Sequence, residues 1–66
     1  MTIVLNGEPR ALQDGTTVAD LLRALEVGER GVAVAVDAEV VPRGAWESFV
    51  VGDGAHVEVV HAVQGG

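Results

Sequence analysis

The apolar residues change their spacing along the chain, and each change marks a different element. Residues 2–6 (Thr-Ile-Val-Leu-Asn) are rich in branched side chains and predict a strand. Asn6-Gly7 follows, a two-residue hairpin signal, because both residues tolerate positive φ. Residues 9–13 are then the returning strand, and Pro9 places it at a sheet edge, since proline cannot donate to a ladder. After the Asp14-Gly15 turn the period lengthens. Val18, Leu21, Leu22 and Leu25 fall at i, i+3, i+4 and i+7, one apolar stripe of a helix over about residues 18–26. Thr17 stands at its N-cap, and Asp20 three residues later completes a relative of the capping box while complementing the helix dipole. Gly28 is the expected left-handed stop.

Residues 32–36 (Val-Ala-Val-Ala-Val) are apolar at every position, the pattern of a central strand buried on one side and shielded on the other. Asp37-Ala38-Glu39 is a short connection. Val40-Val41 begin another strand, which Pro42 ends. The two aromatics, Trp46 and Phe49, sit in a turn or short helix over residues 43–49. Gly52-Asp53-Gly54 is a turn, and residues 55–62 form the last strand, with Val57 and Val59 on one face and Glu58 and Val60 on the other. Hairpin, helix and further strands make an α+β domain with the helix laid across one sheet face. The expected division is a folded domain over residues 1–62 and a flexible tail over 63–66.

Composition narrows the function. The chain has 66 residues and no cysteine, which removes disulfides, thiolate metal sites and cysteine nucleophiles. Its four cations are all arginine, and ten acids bring the net charge to −6. That balance argues against nucleic acid and anionic membranes, both of which need clustered cations. No apolar stretch approaches a membrane span, and the N-terminus lacks a secretory pattern, so the expected location is the cytoplasm.

Side-chain chemistry is sparse. His56 and His61 are five apart on a predicted strand and point to opposite faces, so they cannot share a metal unaided. Ser48, the one serine, lacks a nucleophile elbow, and the glycines form no phosphate loop. Arg43 either holds an anion or bonds loop carbonyls or an acid. Trp46 is either an interface anchor or packs at the core edge.

The last residues, Val63-Gln64-Gly65-Gly66, fit chain-end chemistry. Glycine enters channels and conformations closed to other residues. An extended run from Ala62 to Gly66 reaches roughly 17 Å, enough to enter another protein's active site. A free carboxylate there, with an ordinary pKa of roughly 3.5, is ionised and unreactive as an electrophile until it is activated, for instance by AMP. The other reading is a frayed terminus that happens to be glycine-rich. The absence of lysine removes side-chain amines that would attack an activated terminus, and equally reflects an arginine bias in composition.

Over its whole length the chain resembles the small ubiquitin-like sulfur carrier proteins, most closely the ThiS type of thiamine biosynthesis. The resemblance rests on Asn6, on Gly15-Thr16-Thr17-Val18 with Leu21-Leu22, and on Val32-Ala33-Val34-Ala35-Val36-Asp37. It continues through Val40-Val41-Pro42-Arg43 with Trp46, then Gly52-Asp53-Gly54-Ala55-His56-Val57-Glu58, and ends at Gly65-Gly66. Pro9, Arg10 and His61 depart from the pattern. The resemblance implies a β-grasp fold, a mixed sheet of about five strands with the first and last paired in parallel at the centre. It implies no enzyme and no cofactor bound by this chain. ATP and a sulfur donor are used by a partner, an adenylating enzyme of the ThiF type, which converts Gly66 to an acyl-adenylate and then a thiocarboxylate. A thiazole synthase of the ThiG type takes the sulfur. By position, Gly66 carries the reactive group, Gly65 and Gln64 thread the tail, and Val60, Ala62 and Val63 are the expected docking residues of a chain that is monomeric when free. The alternatives are a molybdopterin-synthase small-subunit-like carrier, a ubiquitin-like modifier, and an inert β-grasp interaction module.

Overall fold

A computed structural model describes residues 1–28 and 30–61. Its elements run β1 (Thr2–Leu5), β2 (Glu8–Ala11), α1 (Val18–Ala24), β3 (Val32–Val36), β4 (Glu39–Val41), a single 3₁₀ turn (Arg43–Ala45) and β5 (His56–His61). The five strands form one sheet in the order β2-β1-β5-β3-β4. β1 and β5 pair in parallel, and the other neighbours are antiparallel. This is the mixed β-grasp sheet expected from the resemblance, with β2 and its Pro9 at an edge. No helix among the described residues is long and apolar enough to cross a membrane.

Two hairpins close on two-residue turns whose central residues have positive φ, as the twist-matched type I′ geometry requires. These are Asn6 (49°) with Gly7 (85°), and Asp37 (50°) with Ala38 (70°). Because the Asn6-Gly7 loop closes so tightly, β2 restarts at Glu8 and ends at Ala11, earlier than the expected 9–13. β4 likewise opens at Glu39 rather than Val40.

The helix begins where the sequence places it. The first three helical N–H groups have no intrahelical acceptor, and each finds another here. Val18 N–H donates to the Phe49 carbonyl at 2.9 Å and Ala19 N–H to the Trp46 carbonyl at 3.0 Å. Asp20 N–H donates to the Thr17 hydroxyl, and the Thr17 N–H returns a bond to the Asp20 carboxylate, a complete capping box.

The C-terminal end corrects the sequence reading. The helix stops at Ala24, and the left-handed position is Glu26 (φ 57°), not Gly28. Val27 N–H donates to the Leu22 carbonyl and Glu26 N–H to the Arg23 carbonyl, the paired bonds of a Schellman motif. Val27 packs against the core, and that apolar contact fixes which residue precedes it in the left-handed position.

One sheet face and the helix enclose the core. Ile3, Val34 and Val57 from the strands meet Val18 and Leu21 from the helix, with Val51 closing one side, all essentially inaccessible. The centre of the sheet is β5, with β3 beside it. The outer face of β3 is not fully shielded, contrary to expectation: Ala33 is exposed and Ala35 half-buried.

Candidate functional site

The face of the sheet opposite the helix carries two exposed large apolar side chains, Val40 and Val60. Along β5, Val57 is buried and Val59 half-buried against the core, while Glu58 and Val60 point outward, the alternation that a pleated strand imposes. In the ladders Val60 stands opposite Ala33, and Ala35 lies between Glu58 and Val40. Two small alanines therefore form the floor and larger residues the walls of a shallow trough of about 180 Å³, lined by Ala33, Val34, Ala35, Val40, Glu58 and Val60. Val40 is 75% exposed and Val60 57%. Among the described residues, Glu58 is the one charged group lining the trough.

Of the expected docking residues, Val60 lies on this wall. Ala62 and Val63, and the tail residues Gln64, Gly65 and Gly66, lie outside the described residues. So do the expected end of β5 at residue 62 and the 63–66 tail. β5 is the element that leads to them, ending at His61. The sequence reading missed Ala33, Ala35, Val40 and Glu58 as companions of Val60. The signal was present in the Val-Ala-Val-Ala-Val alternation, where the small residues share the outer face, but pairing β3 with β5 needs the fold.

The remaining candidates resolve into structure. Trp46 is buried, donates its indole N–H to the Val41 carbonyl at 2.9 Å and caps the helix with its own carbonyl. It is a core strut rather than an exposed anchor. The Arg43 guanidinium lies over its ring, 5.6 Å from the centroid, a cation–π distance. The Ser48 hydroxyl donates to the Ala45 carbonyl within its turn. Among the described residues no three His, Asp or Glu side chains gather to hold a metal. The carboxylate of Asp20 is held below its ordinary value, chiefly by the N–H of Thr17, then by the Thr17 hydroxyl and the Arg23 guanidinium. That guanidinium also reaches Glu47 at 2.6 Å, tying the exposed side of α1 to the segment after the 3₁₀ turn.

A five-stranded mixed sheet crossed by one helix, with an open apolar outer face and a central strand leading to the last residues, defines a ubiquitin-like β-grasp domain. Residues 3–66 match the ThiS family model, and the chain belongs to that family. It is 32% identical to the sulfur carrier protein ThiS of Escherichia coli over the whole of both chains. It is 39% identical to a thiazole synthase of Paramagnetospirillum magneticum and 41% identical to one of Magnetococcus marinus, spanning about a fifth of the length of each. Among solved structures, the crystal structure of the thiamine biosynthesis protein ThiS from Geobacter metallireducens matches with a TM-score of 0.86 at 33% identity, covering all of both chains. The solution structure from the same organism matches at 0.79, covering all of this chain and 88% of that one.

Proposed function

We propose that this domain carries sulfur for thiamine biosynthesis, and that its working atom is the carbonyl carbon of Gly66. Full-length correspondence with the sulfur carrier of Escherichia coli carries this reading, together with a family match that runs through Gly66. In the proposed cycle a partner adenylating enzyme, of the ThiF type, joins the Gly66 carboxylate to AMP and releases pyrophosphate. A persulfide-linked donor displaces AMP, and a thiol then cleaves the S–S bond to leave a thiocarboxylate. This chain supplies recognition and a tethered nucleophile; the ATP and the sulfur donor are handled by the partner. Binding delivers that nucleophile at high effective concentration. The acceptor we propose is a thiazole synthase, the activity named for two of the relatives.

The chemistry needs a free carboxyl on Gly66, a narrow approach at Gly65 and Gln64, and a surface for docking. We assign docking to the trough around Val60 and, from their place in the sequence alone, to Ala62 and Val63. A net charge of −6 favours basic partner surfaces. A cytoplasmic location is part of this proposal, since the cycle consumes ATP. The adenylating enzyme should catalyse ATP–pyrophosphate exchange only when this chain is present, and deleting Gly66 should abolish the exchange while leaving the sheet intact. Undiminished exchange with the shortened chain would refute the assignment.

A further inference from the structure

β1 ends before β5 does. Val4 N–H donates to the Ala55 carbonyl and Asn6 N–H to the Val57 carbonyl, the regular parallel pattern. In a continuing strand the next two bonds would run from Val59 N–H to the Asn6 carbonyl, and from residue 8 to the Val59 carbonyl. Here the chain has already turned away, because Asn6 and Gly7 take positive φ to close the hairpin. The Asn6 side chain makes both bonds instead. Its Oδ1 accepts from Val59 N–H at 2.9 Å, and its Nδ2 donates to the Val59 carbonyl at 3.3 Å. One carboxamide thus replaces a carbonyl and an N–H of the missing strand, across 53 positions of sequence. Among the described residues β5 has no hydrogen-bonded partner on its β1 side beyond Val59.

We propose that Asn6 is a positioning residue for the carrier's tail: its grip on the Val59 peptide is the last anchor on the β1 side of β5, beyond which Val60 and His61 are held by β3 alone, and it fixes the course of the strand that leads to the tail. The inference rests on the carrier reading given above. Glutamine is too long for the grip, and aspartate can accept from Val59 N–H but cannot donate to its carbonyl. Without the grip, the end of β5 is held from the β3 side alone and moves more freely, and docking the carrier on a partner must order more of it. The loss should fall on binding rather than on the chemical step.

Two substitutions separate this role from the turn. Asn6→Gly keeps the positive φ of the hairpin but removes the carboxamide. Asn6→Asp keeps one of the two bonds. Amide hydrogen exchange on the free chain should show loss of protection at Val59 in Asn6→Gly, and a smaller loss in Asn6→Asp, with β1–β2 protection retained. With the adenylating enzyme and ATP, KM for Asn6→Gly should rise about three- to tenfold, the scale of one or two hydrogen bonds, while kcat stays unchanged. Asn6→Asp should fall between the two. Equal KM for wild type and Asn6→Gly, or a loss confined to kcat, would overturn the role of Asn6. A wild-type chain that is not adenylated at all would overturn the carrier reading beneath it.

Discussion

Asp37 holds His56 through both its main chain and its side chain. Its N–H donates to the His56 carbonyl at 2.7 Å, and its Oδ1 accepts from His56 N–H at 3.0 Å. The regular β3–β5 ladder ends one pair earlier, at Val36 and Val57. Asp37 therefore starts β5 on one side much as Asn6 steadies it further along on the other, each from a left-handed turn position. Asp37→Ala should lower stability by about 1–2 kcal/mol, combining a lost hydrogen bond with a positive φ that alanine tolerates less well. Asp37→Asn keeps the acceptor and the turn preference and should be near neutral. Urea unfolding of the three chains checks this, and equal midpoints for wild type and Asp37→Ala would contradict it.

Two other residues occupy left-handed positions without the chemistry to favour them. Glu26 sits there at the helix end, adding a negative charge where the dipole is already negative. Ala38 sits there in the second hairpin at φ 70°. Glu26→Gly and Ala38→Gly should each raise stability by about 0.5–1.5 kcal/mol, since relief of the strained backbone outweighs the extra freedom of the unfolded chain. Thermal unfolding reads the shift directly, and a lower melting temperature in both variants would contradict the assigned strain.

The capping box makes stability depend on pH through Asp20. Its carboxyl is depressed below the ordinary 3.8, so the folded state gives up that proton more readily than the unfolded state. The resulting stabilisation is complete above the unfolded value and fades as pH falls through the folded one. Denaturation midpoints of wild type and Asp20→Asn should differ at neutral pH and begin to converge only as pH falls below the ordinary carboxylate value, meeting once it has passed the lower folded one. Parallel curves down to the acid limit would contradict the cap's contribution.

The outer trough can be tested apart from the fold. Val40 and Val60 are open to solvent, so Val40→Arg and Val60→Arg should leave the unfolding midpoint within about 0.5 kcal/mol of wild type. The same changes should weaken binding to the adenylating enzyme at least tenfold by placing a charge in a face that binding would desolvate. Titration calorimetry showing unchanged affinity would remove the trough from the docking surface.

Much of this fold was legible in the sequence because its signals are local. Asn6-Gly7 predicted a two-residue turn, Thr17 with Asp20 predicted the cap, and Pro9 predicted an edge. Where structure and sequence pattern part, short-range interactions compete. Gly28 offered the cheapest left-handed backbone, yet burial of Val27 placed that conformation on Glu26. The alternating valines and alanines predicted a strand shielded on both faces, but the helix covers only one, and Ala33 is left open. The resemblance supplied what periodicity could not, the parallel pairing of β1 with β5. The docking face was only partly visible, because Val40, Ala35 and Val60 are brought together by strand pairing rather than by spacing. Gly65 and Gly66 were singled out by chain-end chemistry and by the resemblance, and they lie outside the described residues.

The central claim is that Gly66 ends in a carboxyl group that exchanges oxygen for sulfur. Intact-mass spectrometry of the purified chain, before and after incubation with the adenylating enzyme, ATP and a sulfur donor, tests it most directly. The expected result is a mass gain of one oxygen-to-sulfur replacement, dependent on ATP and localised to Gly66 by fragmentation. No gain, a gain that persists without Gly66, or a mature chain that continues past Gly66 would contradict it.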